Sequence, residues 1–494
     1  MFLPNKNIFL GPSTQKQIDF LPKWFCNHAL LTFFVAFALC SIVFGYVMEV
    51  RYAIVASVST ILFFYGGNAL YHKWRILSEK NYVKRIVLIG LLVRLLWVAY
   101  CYFYFNEDYY GGKMGDTADC AWYVQFGQAI AVWIQNGFND SFDHLRHIWQ
   151  SAIDDCGYPF WLAIEYLIVG VENDVFVPMI VKCVVSALCA KYIYNIGKRH
   201  FGEQIARVAA MFVALNPNMI YWCGTMFKEP EMVFLVCLYV NEMDKALWKN
   251  DKLTFKALLP ATLIGMTLFF FRSALGLVAF LAMFAHVVFA SKRIISLGKK
   301  VLAGIMVAMA LLIGMGDTIR TQSKQVVQSV QSNKQQTNME WRVNREGGNQ
   351  FAKYAGAAVF APLIFTIPFP TFNVALETQI LQRELSGGSF IKNILSFFVI
   401  LILFVFLFSG EWRRHVFIIA YLCGYLAALV LSEFAQSGRF HLPIIPFLML
   451  FGAYGISYVQ QNKRWKKYWS VVLVIEVIFC LGWNWFKLAG RGLL

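Results

Sequence analysis

Apolar runs of about 17 to 22 residues recur along this chain almost end to end, each long enough as a helix to cross a hydrocarbon core of about 30 Å. They fall at about 27–48, 52–71, 84–106, 175–195, 204–222, 230–245, 257–271, 274–290, 299–316, 390–409, 416–434, 443–460 and 469–487. The pattern predicts an all-α fold, a polytopic transmembrane helical bundle of about 13 spans, because only helices that satisfy their own backbone cross lipid in this way. Residues 1–494 read as one integral membrane domain.

Two stretches break the rhythm. Residues 107–174 form a first large loop in which "AWYVQFGQAIAVWIQ" and "SFDHLRHIWQSAI" mix aromatic and polar residues at helical spacing, as helices lying along an interface do. The run "YPFWLAIEYLIVG" is too short to cross comfortably and is expected to lie on the surface or re-enter. Residues 317–389 form a second loop, rich in Gln, Asn and Ser over 321–350, the composition of a lid. Its part around 355–375, with Pro362, Pro368 and Pro370, predicts an interrupted or re-entrant helix. There is no heptad pattern, nucleotide-binding glycine loop or internal repeat.

Composition agrees: 59% of the residues are hydrophobic and only 15% charged, and nothing in the chain suggests a soluble catalytic domain. The formal net charge of +16 would suit nucleic acid if it formed one patch. Instead the basic residues cluster in "HKWRILSEKNYVKR", "GKRHFGEQIAR", "DKALWKNDKLTFK", "SKRIISLGKK", "EWRRH" and "QQNKRWKKYW", on alternate connections. Positive charge marks cytoplasmic loops, so these connections and the N-terminus are predicted inside and no nucleic-acid partner is implied. The first 25 residues lack the apolar core and cleavage site of a signal peptide. The 11 cysteines show no metal-ligand spacing. Cys120 and Cys156 bracket one polar loop and are candidates for a disulfide if that loop faces an oxidising compartment, a pairing that sequence leaves open.

The unusual polar residues gather on the opposite, outer side: Asp116 and Asp119, the turn Lys228-Glu229-Pro230-Glu231, Arg272, and Arg439 with His441. Two acids three apart on one helical turn suit a general base and its partner. They equally suit a cap, Asp116, followed by an acid in the first turn, Asp119. Arg272 interrupts an apolar run, where a charge costs about 2.5 to 3.5 kcal/mol at mid-span, so it needs a partner, water or a headgroup. The planar fork of arginine suits a phosphate, which a lipid-linked substrate would present at this depth. Lys182 lies a turn or two below the outer face, within reach of the same place. The mid-span pair Arg94 and Glu476 is expected to neutralise itself. No set of His, Cys and acids has metal-ligand spacing, so a divalent metal is optional and not indicated.

These pieces, in this order, resemble the GT-C superfamily of membrane glycosyltransferases, especially bacterial relatives of the dolichyl-phosphate-mannose protein mannosyltransferases and aminoarabinose transferases. The resemblance is carried by the acidic first loop "GDTADCAWYVQFGQAI", by "GYPFWLAIEYLIVG", by paired spans joined by "GKRHFGEQIARVAAMFVALNP" and followed by the acidic turn "KEPE", by "FFFRSALGL", and by "GRFHLPIIP". It covers about residues 84–290 and 436–450. The chain departs from the family in having no adjacent acid pair in the first loop, which leaves the base open between Asp119 and Asp116.

The resemblance implies transfer of a hexosyl or pentosyl group from a polyprenyl-phosphate-linked donor to a glycan, lipid or protein acceptor at the extracytoplasmic face of a cytoplasmic (inner) membrane. On that reading Asp119 or Asp116 is the base, Arg272, Arg439, Lys228 and Lys182 meet the phosphate, and Glu229, Tyr123 and His441 hold sugar or acceptor. An alternative is a polysaccharide polymerase or ligase acting on diphosphate-linked glycans, for which Arg342 and Arg345 in the second loop are candidate substrate-binding residues. A transporter would need more polar groups near the bilayer midplane than Arg94, Glu476 and Lys182.

Overall fold

The computed structural model describes residues 21–45, 50–110, 114–115, 119–138, 155–170, 175–249, 255–289, 344, 349–351, 357–373, 386–432 and 434–494. Asp116, Arg342, Arg345, the predicted span at 299–316 and the Gln-rich stretch lie outside these residues. The described residues are all-helical. In chain order the main helices are α1 (Lys23–Phe44), α2 (Val50–Trp74), α3 (Glu79–Tyr110), α4 (Asp119–Gln135), α5 (Gly157–Val169), α6 (Phe176–Phe201) and α7 (Glu203–Leu215), then α8 (Glu229–Lys249), α9 (Phe255–Phe271), α10 (Ser273–Phe289), α11 (Ser386–Ser409), α12 (Trp412–Leu431), α13 (Gly438–Gln461) and α14 (Lys467–Ala489).

Eight of the described helices are long and apolar enough to cross a membrane: α1, α2, α3, α6, α11, α12, α13 and the C-terminal helix. The chain is a multi-pass membrane protein, with fewer full-length candidates among the described residues than the 13 apolar runs suggest. The reason is local. The run at 204–222 is cut where Asn216 caps a new turn by accepting from the Met219 amide at 3.2 Å and Pro217 begins it. Helices α9 and α10, of 17 residues each, meet at Arg272 and fall below spanning length.

Helix α6 is the hub, packed against α3, α7 and α8, while α13 runs through the interior with 94% of its apolar span buried. Small residues permit the closest approaches: a Cβ on Gly455 would lie 2.7 Å from the Phe398 Cβ across the α11–α13 crossing. Arg94, on α3, is wholly buried and does not pair with Glu476 as expected. Its guanidinium donates to Ser186 Oγ at 2.9 Å and to the carbonyls of Gly90, Val213 and Ala214. Helix α7 ends before Pro217 with carbonyls that no helical amide reaches, and in lipid those acceptors need a donor. Arg94 supplies it. Glu476 accepts instead from Asn393 Nδ2 at 3.2 Å.

Residues 357–373 form short helical turns followed by buried extended chain from Ile367. Backbone without helical bonds needs side-chain partners at this depth, and polar residues of neighbouring helices provide them. Lys392 donates to the Ile367 carbonyl, Asn484 to that of Pro370 at 3.0 Å and Ser386 to that of Thr371 at 2.9 Å. The Asn484 Oδ1 in turn accepts from the Phe372 amide at 2.8 Å.

Beside this bundle lies the pair α4 and α5. Gly127 is their contact point, since a Cβ there would sit 2.7 Å from that of Leu162. Gly127→Val should therefore overpack the crossing and cost about 1–3 kcal/mol, lowering the thermal midpoint of the detergent-purified protein. An unchanged midpoint would show that α4 and α5 do not pack this closely.

Candidate active site

The chain brings several of the polar residues expected on the outer side together at one end of the bundle. Asp119 opens α4, where its carboxylate also meets the favourable end of the helix dipole. Its Oδ2 pairs with Nη1 of Arg439 at 2.7 Å. The Nε of Arg439 pairs with Glu229 Oε1 at 2.6 Å, and Arg272 Nη2 approaches the same oxygen at 3.7 Å. Residues separated by 320 positions in sequence thus share one charge cluster, Asp119–Arg439–Glu229–Arg272.

Local folding explains how each side chain is aimed. Glu229 and Pro230 form the first turn of α8, a position that tolerates Pro and favours acid. Arg272 sits at the break between α9 and α10, its amide donating to the Leu268 carbonyl and its carbonyl accepting from Leu275 at 2.9 Å. Arg439 lies in the first turn of α13. Tyr425, inside α12, joins the last two: it accepts from Arg272 Nη1 at 3.0 Å and donates to the Phe440 carbonyl at 3.0 Å. Flat faces of both guanidiniums are covered by rings, Arg439 by Phe227 at 3.9 Å and Arg272 by Phe440 at 4.3 Å. Their charged edges are left as the bonding surface.

Exposure falls steeply through the cluster. The Asp119 side chain is 49% exposed, those of Arg439 and Arg272 15%, and that of Glu229 0%. Burial alone would raise the Glu229 carboxyl, but Arg439 and then Arg272 hold it below the usual carboxylate range. Its Oε2 nevertheless has no hydrogen-bond partner among the described residues. A buried carboxylate oxygen in that condition is an acceptor awaiting a donor. Tyr123, one turn along α4 from Asp119, is raised above the usual phenol range, first by burial and then by Glu229 and Asp119 against the opposing pull of Arg439, so it stays a neutral donor.

Lys228 and Lys182 take different places. Lys228 pairs with Asp155 and donates to the Phe271 carbonyl at 2.5 Å, tying the turn before α8 to the end of α9. Tyr123 OH reaches the same Asp155 at 3.4 Å. Lys182 is fully buried and pairs with Glu231 at 3.1 Å, donating as well to Tyr158 OH at 2.9 Å and to the Phe227 carbonyl. It braces the backbone behind the site. His441 is buried, with Nε2 at 2.7 Å from the Ala435 carbonyl and Nδ1 at 3.2 Å from Lys392 Nζ, so it steadies the loop that presents Arg439. The first loop is fastened to the turn before α8 by the Met226 amide, which donates to the Met114 carbonyl at 2.7 Å. Cys120 and Cys156 are both buried and are not bonded to each other. Among the described residues no group of three or more His, Cys, Asp or Glu could hold a metal ion.

Sequence reasoning missed Asp155, Tyr425, Phe227 and Phe440. Asp155 carried a signal, an acid directly before the short helix that begins at Gly157. Tyr425 carried none, being one tyrosine within an apolar helix.

Residues 126–319 match the model of the Alg9-like mannosyltransferase family, a GT-C-type membrane glycosyltransferase family. The match bears out the resemblance to GT-C enzymes. It spans Lys182, the Lys228–Glu231 turn and Arg272, while Asp119 and Arg439 lie on either side of it. No curated protein matches the chain.

The charge state of Glu229 should be visible in stability. Because its folded-state carboxyl titrates below its ordinary value of 4.5, its stabilising contribution is complete above that value and is lost as pH falls through the lower folded value. Glu229→Gln should lower stability by about 3–5 kcal/mol at neutral pH, the usual cost of breaking a buried ion pair. Its gap to wild type should narrow on acidification. A gap independent of pH would show that Glu229 is not ionised between the arginines.

Proposed function

We propose that this membrane protein is a glycosyltransferase that moves a sugar from a polyprenyl-phosphate-linked donor to a hydroxyl acceptor at the extracytoplasmic face of the membrane. The observation that carries this reading is the cluster itself. A half-exposed carboxylate, a group suited to take a hydroxyl proton, stands beside two ring-backed arginines at the end of a membrane bundle. The family match to 126–319 supports a membrane glycosyltransferase, and its name makes a mannosyl donor the first to test.

In the proposed step the acceptor oxygen attacks the anomeric carbon while Asp119 takes its proton. The bond from that carbon to the phosphate oxygen breaks, and polyprenyl phosphate leaves with the bonding pair. Arg439 and Arg272 meet the charge that develops on the departing oxygen. Glu229 contributes through Oε1, which orients the arginines. Tyr123 stands on the same helix face as Asp119 and offers a phenolic hydroxyl to the same space. Lys228 and Lys182 contribute by fixing the turn that carries Glu229. Positioning and charge suffice for such a displacement, so no metal is required by the scheme.

The test is sugar transfer from a polyprenyl-phosphate-linked mannose by purified protein in nanodiscs. Asp119→Asn should reduce turnover by about 10²–10⁴-fold, the span of general-base catalysis, with the thermal midpoint retained. Asp116→Asn should leave most activity. Full transfer by Asp119→Asn in folded protein would remove it from the role of base.

A further inference from the structure

The partner that the base already has is informative. A general base is most useful when free, yet Asp119 spends its Oδ2 on Arg439 at 2.7 Å. Arg439 is already engaged at two of its donor nitrogens, Nε and Nη1. Its Nε is committed to Glu229 at the buried side and its face lies on Phe227, so the edge that bonds Asp119 is the edge turned toward solvent. An anion arriving from outside meets Arg439 where the Asp119 carboxylate sits. Glu229 cannot yield in its place, being wholly buried and held by two arginines.

Resting on the donor class proposed above, we infer that Asp119 holds the place of the donor's phosphate on Arg439, so that donor binding displaces the carboxylate and thereby releases the base. The order of events is then donor first, acceptor second. Charge reinforces the exchange. Asp119 and Glu229 balance Arg439 and Arg272 in the unliganded protein, and a phosphate added to this set leaves it negative. Asp119 is thus freed for the acceptor only when the donor is in place, which limits wasteful chemistry on water. The carboxylate and phosphate compete for one site, so by linkage each must weaken the other's hold on Arg439.

The experiment titrates a polyprenyl monophosphate into the full-length protein in detergent micelles and compares wild type with Asp119→Asn, Asp119→Ser and Arg439→Gln, each checked by its melting profile. Both Asp119 variants should bind the lipid about tenfold more tightly than wild type, within the usual range of coupling between two ligands. Arg439→Gln should bind it more weakly than wild type. Equal or weaker binding by the Asp119 variants, with saturable binding by wild type, would overturn the displacement while leaving the lipid-phosphate site standing. Absence of saturable binding by wild type and by both Asp119 variants would overturn the donor reading and the displacement together.

Discussion

A carboxylate with no access to water sits between two arginines, and one end of this bundle is organised around it. Burying Glu229 alone would cost several kcal/mol. Arg439 and Arg272 offset that cost, and each arrives from a different part of the chain: one from the first turn of α13, the other from the break between α9 and α10. The requirement that these charges meet therefore fixes three helix ends relative to one another. Asp119 is added at the exposed margin by α4, which the rest of the fold holds through the Met226–Met114 backbone bond and the close α4–α5 crossing.

The same constraint, that no polar group be stranded in lipid, explains features far from the site. Arg94 caps the carbonyls that Pro217 leaves open, and Lys392, Asn484 and Ser386 serve the extended chain after Ile367. At the opposite end of the bundle, His200 bridges Asp244 and His415, each at 2.7 Å, while Arg199 pairs with Asp244 at 2.6 Å. Helices α6, α8 and α12 are thus tied at the end away from the arginines. Charges in this protein divide into those that complete the backbone or fasten helices and those that face an opening. Asp119, Arg439 and Arg272, each partly exposed, form the second group.

The periodicity of apolar residues was enough to read the all-helical membrane class, and the break in apolar runs at Arg272 and the acid Asp119 of the first loop pointed to the end of the bundle where the charges cluster. The grouping of Asp119, Glu229, Arg272 and Arg439 was legible because each is a costly residue at a membrane edge. Pairing was not. Sequence offered Glu476 for Arg94 because both are charged and deep, whereas the true acceptors are carbonyls, which every residue possesses and no sequence pattern marks. Lys182 and Lys228 looked like phosphate ligands for the same reason. Whether a lysine faces an opening or a carbonyl depends on where neighbouring helices end, as with Phe227 and Phe271. The count of 13 spans is not confirmed among the described residues, since an apolar run does not reveal the capped turn at Asn216 or the junction at Arg272.

The most direct measurement is an experimental structure of the full-length protein in lipid with a polyprenyl monophosphate bound. The account predicts phosphate oxygens within hydrogen-bonding distance of both Arg439 and Arg272, Glu229 still paired to Arg439, and Asp119 turned away toward the opening. A phosphate bound elsewhere, with the Asp119–Arg439 pair intact, would contradict it.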